Sequence, residues 1–90
     1  MKRARILLSG KVQGVFYRDF ARKEAEKLGI TGFVRNLRDG RVEVVGEGHE
    51  DKLRLFINEC RRGPFLAFVK SAEVTMEEAT GKFRNFEIRL

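Results

Sequence analysis

Apolar and polar residues alternate along several stretches of this chain, a pattern typical of β-strands that bury one face. In the first stretch, Ala4, Ile6 and Leu8 point to one side of the strand, while Arg3 and Arg5 point to the other. Further β-rich stretches follow after residue 30 and towards the C-terminus. The predicted strands cover residues 3–12, 31–37, 41–47, 69–77 and 83–90.

Two other stretches repeat their apolar residues at the spacing of an amphipathic helix. The first covers residues 17–28 and is followed by Gly29, a common residue at a helix C-terminus. The second covers residues 50–61; acidic residues begin it and arginines end it, which is the order that the helix dipole favours. The predicted core-facing residues of the two helices are Tyr17, Phe20, Ala21, Ala25 and Leu28, and Leu53, Phe56, Ile57 and Cys60.

The resulting order is β-α-β-β-α-β with a short additional strand, and Asp39–Gly40 is a strong hairpin sequence between the second and third strands. This order predicts one α+β domain, residues 1–90, with the ferredoxin-like split β-α-β sandwich. Such a fold has an antiparallel sheet of four to five strands with two helices packed on one face. Right-handed crossovers place the first strand beside the third. They therefore bring the bend at residues 10–18 close to the end of the second strand.

That bend, in the sequence GKVQGVFYRDF, joins the first strand to the first helix. The N–H groups of a first helical turn have no intrahelical acceptors, and together with the helix dipole they attract anions. Gly10 and Gly14 permit a tight bend, and no Ser, Thr, Asp or Asn immediately precedes the helix to cap it. Arg18 can bind the same anion with two hydrogen bonds. These features suit a phosphate or sulfate group, although many such bends bind nothing and most surface arginines are only solvated.

Asn36 lies near the end of the second strand, where asparagine is disfavoured. It either begins the hairpin turn, a common position for asparagine, or faces the bend and positions a small molecule such as water. Glu43 and Glu47 share one strand face among many arginines, so cross-strand ion pairs are expected. No Cys or His cluster has the spacing of metal ligands, and we expect neither a metal nor a cofactor.

The composition narrows the class of partner and the compartment. A formal charge of +6 on 90 residues favours an anionic partner such as nucleic acid, a phosphorylated metabolite or an acidic membrane. No apolar run approaches the ~20 residues of a membrane-spanning helix, and the N-terminus lacks the features of a signal peptide. The single cysteine, Cys60, permits no internal disulfide. We therefore expect the cytoplasm as the compartment, and the highly charged composition, with one Gln and no Trp, favours a thermophilic source. The sequence leaves the oligomeric state open, and a monomer is the simplest expectation.

Three segments carry a resemblance to a known family. Residues 10–18, GKVQGVFYR, and 32–48, GFVRNLRDGRVEVVGEG, resemble the two signature motifs of the acylphosphatase family, and residues 62–69, RGPFLAFV, resemble its segment after the second helix. The resemblance implies a small enzyme that hydrolyses the carboxyl-phosphate bond of acyl phosphates to a carboxylate and inorganic phosphate without a metal. It implies that Arg18 and Asn36 are catalytic, Arg18 holding the phosphate and Asn36 orienting the attacking water. The phosphate-binding residues that it implies are Gln13, Gly14, Val15, Phe16, Tyr17 and Arg18.

Two other functions fit the same order of elements. One is a non-enzymatic RNA- or anion-binding module, but RNA-binding sheets stack bases on aromatic residues of the central strands, and residues 3–12 and 41–47 contain none. The other is a relative of the acylphosphatase-like domain of larger carbamoyl-phosphate-processing proteins, for which a free-standing enzyme is the simpler expectation at 90 residues. We therefore expect a small-molecule acyl phosphate as the partner, with no nucleic acid and no membrane.

Overall fold

The computed structural model describes residues 1–90 and contains every predicted strand and helix. Both helices end at a glycine with a positive φ, Gly29 and Gly63, and Gly29 is in the left-handed helical conformation. The last strand is shorter than its pattern predicts, because only residues 86–89 pair with a neighbouring strand. The elements are β1 (Lys2–Lys11), α1 (Tyr17–Leu28), β2 (Thr31–Asn36), β3 (Val42–Gly48), α2 (Glu50–Arg62), β4 (Phe68–Glu78) and β5 (Phe86–Arg89).

The five strands form one sheet in the order β4-β1-β3-β2-β5. β1 pairs with β3, as right-handed crossovers predict, and the pairs among the first four strands are antiparallel. β5 instead pairs with β2 in parallel, because the chain crosses from the β4 edge of the sheet to the opposite edge before it enters β5. The α+β ferredoxin-like fold is thus confirmed, with a fifth strand that makes the sheet mixed.

Both helices pack on one face of the sheet, and the apolar core lies between the two layers. Ala4, Ile6 and Leu8 of β1 are fully buried there. Both predicted helix stripes face this core except at Phe20, which is only partly buried because its ring lies at the edge of the core against the Arg62 guanidinium. Cys60 belongs to this core, where burial raises the pKa of its thiol to about 12. The buried helix residues are Tyr17, Ala21 and Ala25 of α1 and Leu53, Phe56, Ile57 and Cys60 of α2.

The other face of the sheet carries ion pairs. Glu43 forms ion pairs with Arg5 at 2.7 Å and with Arg35 at 2.6 Å, which confirms the predicted cross-strand pairing. Oε2 of Glu47 lies 3.8 Å from Nη1 of Arg3, and the Glu47 carboxylate accepts hydrogen bonds from Thr80 and Gly81. Burial acts to raise the pKa of Glu47, but the backbone N–H groups of residues 80 and 81 outweigh it and hold the pKa below its usual value.

Neither helix is long and apolar enough to cross a membrane.

The feature of the fold that matters for the predicted site is the edge where β1 ends, α1 begins and β2 ends. Gly10 leads the chain out of β1 at a bulge, with a φ of 119°. A Cβ atom at this position would lie 2.3 Å from the carbonyl oxygen of Phe68, so only glycine permits the close approach of the two strands.

Candidate active site

The bend between β1 and α1 has a left-handed backbone at two positions. Gly14 has a φ of 73°, and no atom lies within 4 Å of where its Cβ would be, so glycine is favoured here by conformation and not by space. Phe16 has a φ of 64°, although it is not a glycine, and its ring is 74% exposed. A left-handed residue with a Cβ costs roughly 1–2 kcal/mol, and such strain is concentrated at functional sites.

The backbone N–H groups of this bend have no acceptors within the protein. Phe16 is the N-cap of α1 but makes no side-chain cap bond, and no hydrogen bond has a backbone N–H of residues 13–19 as its donor. The first such bond in the helix runs from Phe20 N to Phe16 O at 3.1 Å. The bend therefore presents a group of unpaired N–H donors at the positive end of a helix, as an anion site requires.

Arg18 adds a positive charge at the same place. Its side chain is partly exposed and takes part in none of the ion pairs or hydrogen bonds of the structure. The adjacent Asp19 is paired with Lys23 at 3.1 Å and Arg22 at 3.0 Å. The hydrogen bond from Lys23 is the main reason that the pKa of Asp19 lies below its usual value. Asp19 is thus neutralised by other cations, and the Arg18 guanidinium is left to bind an external anion.

Asn36 is the last residue of β2 and also lies at this edge. Its side-chain Oδ1 is buried and has no hydrogen-bond partner. The hairpin turn is closed by backbone bonds from Leu37 N to Arg41 O and from Gly40 N to Leu37 O, so the Asn36 side chain plays no part in it. A buried acceptor without a donor costs about 1–3 kcal/mol, and such a group calls for a water or a ligand. Of the two interpretations of Asn36, the geometry favours the one in which it faces the bend.

One cleft of about 380 Å³ brings these groups together. Arg18 is the only cationic side chain in its lining, and Asn36 lies in the same cleft as the bend glycine Gly14. The opposite wall is apolar and comes from the end of the chain, which sequence reasoning did not assign to the site. The lining residues are Val12, Gly14, Phe16, Tyr17, Arg18, Asp19, Asn36, Ile88 and Leu90.

The other predicted phosphate-binding residues have side chains that are used elsewhere. Val15 is 4% exposed and belongs to the core. The hydroxyl of Tyr17 donates to the carbonyl of Cys60, and burial is the largest of the effects that raise its pKa. Gln13 donates from its side-chain amide to the carbonyls of Leu37 and Arg41 and does not line the cleft. Val15, Tyr17 and Gln13 can therefore offer an anion only their backbone N–H groups.

The structure contains no group of three or more His, Cys, Asp or Glu side chains placed to hold a metal ion. What the cleft does offer is a set of donors, namely backbone N–H groups and one guanidinium, together with the side-chain amide of Asn36 in the same lining. Backbone amides and arginine bind a tetrahedral oxyanion by charge-assisted hydrogen bonds.

The family model, the related sequences and the solved structure described next all match almost the full length of this chain, and all point to the same family. A protein-family model described as Acylphosphatase matches residues 4–88. The acylphosphatase of Rubrobacter xylanophilus is 50% identical over 88 residues, which cover 98% of this chain and 80% of that protein. The acylphosphatase of Methylococcus capsulatus is 48% identical, with 98% and 96% covered. The crystal structure of acylphosphatase from Bacillus subtilis has a TM-score of 0.96 and 36% identity, and covers 100% of both chains.

Proposed function

The chain belongs to the acylphosphatase family, and we propose that it uses the cleft between β1, α1 and β2 for the activity of that family. The enzyme hydrolyses the carboxyl-phosphate bond of an acyl phosphate to a carboxylate and inorganic phosphate. In the proposal, Arg18 and the bend bind the phosphoryl group, and Asn36 orients the attacking water. One observation supports this above all: an unpaired arginine and an unpartnered asparagine oxygen line the same cleft.

The phosphoryl group binds where the unpaired donors converge. The N–H groups from Gly14 to Arg18 and the guanidinium of Arg18 donate to its non-bridging oxygens. Because these donors are held in place before substrate arrives, they need no reorganisation as the reaction proceeds. Charge on the equatorial oxygens shifts during phosphoryl transfer, so donors aimed at them stabilise the transition state more than the ground state.

The attacking water lies between the phosphoryl group and Asn36. Its hydrogen donates to the buried Oδ1 of Asn36, which otherwise has no partner, and its oxygen then points at phosphorus. A neutral amide is a poor base, so Asn36 orients the water and does not deprotonate it.

The bond changes balance without a protein acid or base. The water oxygen bonds to phosphorus, the bond from phosphorus to the acyl oxygen breaks, and its electron pair stays on the carboxylate. Asp19 is the only carboxylate that lines the cleft, and Lys23 keeps it ionised and engaged. We therefore propose that one proton of the water is transferred to a phosphoryl oxygen, and that the protonated phosphoryl group leaves the site as inorganic phosphate.

Hydrolysis of benzoyl phosphate in water labelled with ¹⁸O tests this function. Attack at phosphorus places the label in inorganic phosphate, whereas attack at the acyl carbon places it in benzoate. We expect labelled phosphate, unchanged turnover in the presence of EDTA, and no turnover of p-nitrophenyl phosphate, whose phenolate is a poorer leaving group than a carboxylate. Label in benzoate, or equal rates on the acyl phosphate and the phosphate ester, would contradict the proposed chemistry.

The RNA-binding alternative finds little support on the open face of the sheet. The central strands β1 and β3 present the ion pair of Arg5 and Glu43 there, and the ring of Phe33 on β2 is covered by Arg89 at 3.9 Å. An aromatic stacking surface is therefore lacking on the strands that such modules use. We propose that residues 1–90 act as one monomeric cytoplasmic domain without nucleic-acid or membrane partners, and light scattering with a gel-shift assay tests the monomer and the lack of RNA binding.

A further inference from the structure

Gln13 forms two hydrogen bonds that connect the bend to the hairpin between β2 and β3. Its Nε2 donates to the carbonyl of Leu37 over 2.7 Å and to the carbonyl of Arg41 over 2.9 Å. The two carbonyls lie on opposite sides of the turn, which is itself closed by a bond from Leu37 N to Arg41 O over 2.8 Å. Both N–H groups of the Gln13 amide are therefore used, and they join segments 24 and 28 residues apart in the sequence.

The two ends of this connection are the neighbours of proposed site residues. Gln13 immediately precedes Gly14 of the bend, and Leu37 immediately follows Asn36. The side chain of Asn36 makes no hydrogen bond that would orient it. Its position therefore depends on its backbone, which is held on one side by the pairing of Asn36 with Val42 and on the other by the hairpin turn. Gln13 is the side chain that ties this turn to the phosphate-binding bend.

We propose that Gln13 is a positioning residue for acyl phosphate hydrolysis: its two hydrogen bonds set the hairpin, and with it Asn36, at the distance from the bend that in-line attack requires. This inference rests on the proposed roles of the bend and of Asn36. It gives the Gln13 side chain a role different from the phosphate contact that the family resemblance implies, and leaves only its backbone N–H for the anion. Attack geometry is strict, and a displacement of about 1 Å can lower a rate by about 100-fold.

The test replaces Gln13 in two backgrounds. Gln13→Met keeps the length of the side chain but has no N–H donor, and Gln13→Ala removes the side chain. In the wild-type background we expect kcat for benzoyl phosphate to fall about 10- to 100-fold, while the inhibition constant of inorganic phosphate changes by less than about threefold. In an Asn36→Ala background, the same substitutions should lower kcat by less than about threefold, because no water-orienting amide remains to be displaced.

Thr80→Val is the matched control. It removes another part-buried side-chain hydrogen bond, from Thr80 to Glu47 over 2.9 Å, at the opposite end of β3 from Asn36. A general loosening of the sheet would lower kcat in this variant as well, whereas a positioning role of Gln13 leaves its kcat within about twofold of wild type. Circular dichroism at the assay temperature shows whether each variant is folded. If Gln13→Ala is unfolded, the test uses Gln13→Met.

Three results would overturn the inference. An equal loss of kcat in both backgrounds would mean that Gln13 acts on something other than Asn36. A weaker inhibition by phosphate with unchanged kcat would make the Gln13 side chain a phosphate contact. Unchanged kinetics would mean that the hairpin is held without it. The proposed function is tested separately by the single variant Asn36→Ala. If that variant keeps wild-type kcat, the water-orienting role of Asn36 is wrong. If Asn36→Ala has a low kcat but Gln13→Met is as active as wild type, only the present inference is refuted.

Discussion

Replacing Arg18 by glutamine should abolish nearly all activity without weakening the fold. The Arg18 side chain has no partner in the protein, so its loss leaves no buried charge unpaired and should change the free energy of unfolding by no more than about 0.5 kcal/mol. A charge-assisted donor in a preorganised oxyanion site contributes on the order of 3 kcal/mol to the transition state. At 1.36 kcal/mol for each factor of ten, we expect kcat/KM for benzoyl phosphate to fall on the order of 100-fold.

Thermal unfolding gives a second readout that does not depend on turnover. Phosphate that binds only the folded protein stabilises it by RT ln(1 + [L]/Kd), or about 1.4 kcal/mol at ten times Kd. For a domain of this size that corresponds to a rise of about 6–11 °C in Tm. If Arg18→Gln weakens phosphate binding about 100-fold, the same phosphate concentration should raise its Tm by less than about 1 °C.

Arg61→Gln controls for the change in net charge. Arg61 lies in the last turn of α2, is exposed and, like Arg18, takes part in no ion pair. This variant should keep wild-type kcat/KM and the full phosphate-induced rise in Tm. An Arg18→Gln enzyme that kept its turnover within about threefold of wild type and was still stabilised by phosphate would refute the assignment of Arg18 as the phosphate ligand.

Three further predictions concern Asn36, the bend and the open face of the sheet. Asn36→Ala should lower kcat on the order of 100-fold but keep the phosphate-induced rise in Tm, because it removes the water contact and no phosphate contact. In urea denaturation, Gly14→Ala should lower the free energy of unfolding by about 1–2 kcal/mol, because of backbone strain alone. Gly10→Ala should lower it by about 1–3 kcal/mol more, because its Cβ would lie 2.3 Å from the Phe68 carbonyl oxygen. The pKa of Glu47 is lowered by folding from its ordinary value of 4.5, so its ionised form stabilises the protein fully above that pH and less as the pH falls through the lowered pKa. The free energy of unfolding of wild type should therefore fall towards that of Glu47→Gln as urea titrations move from pH 6 to pH 3, and a gap that widened on acidification would contradict the assigned direction.

Several features of the site were readable from short segments of the sequence. The amphipathic spacing of α1 marks where the helix begins, and the missing cap residue and Gly14 lie just before it; together they predicted the unpaired N–H groups that the structure contains. Arg18 and Asn36 were assigned by the family resemblance, and the cleft has both in its lining. Their catalytic roles stay predictions until the variants described above are measured. The left-handed conformation of Phe16 was not foreseen, since a phenylalanine gives no local indication of a positive φ.

Other features depend on contacts between distant segments, which residue periodicity does not encode. β5 was predicted as a strand, but its parallel pairing with β2 depends on the path of the chain across the sheet. That pairing places Ile88, and the residue Leu90 just beyond the strand, at the cleft. The contact of Gln13 with the hairpin is similar: the family resemblance places Gln13 among the phosphate-binding residues, and only the folded chain shows that its side-chain amide donates to Leu37 and Arg41.

The sequence by itself determined the secondary structure, most of the core faces of both helices and the presence of a bend with unpaired N–H groups, because these follow from the spacing of neighbouring residues and from local backbone preferences. The tertiary structure decided which groups meet in the cleft and which lack partners there: Arg18 without a carboxylate, Asn36 Oδ1 without a donor, and Gln13 fully engaged with the hairpin. Hydrogen-bond and charge pairing are settled by atoms that come together only when the sheet assembles, so no pattern along a single strand or helix can specify them.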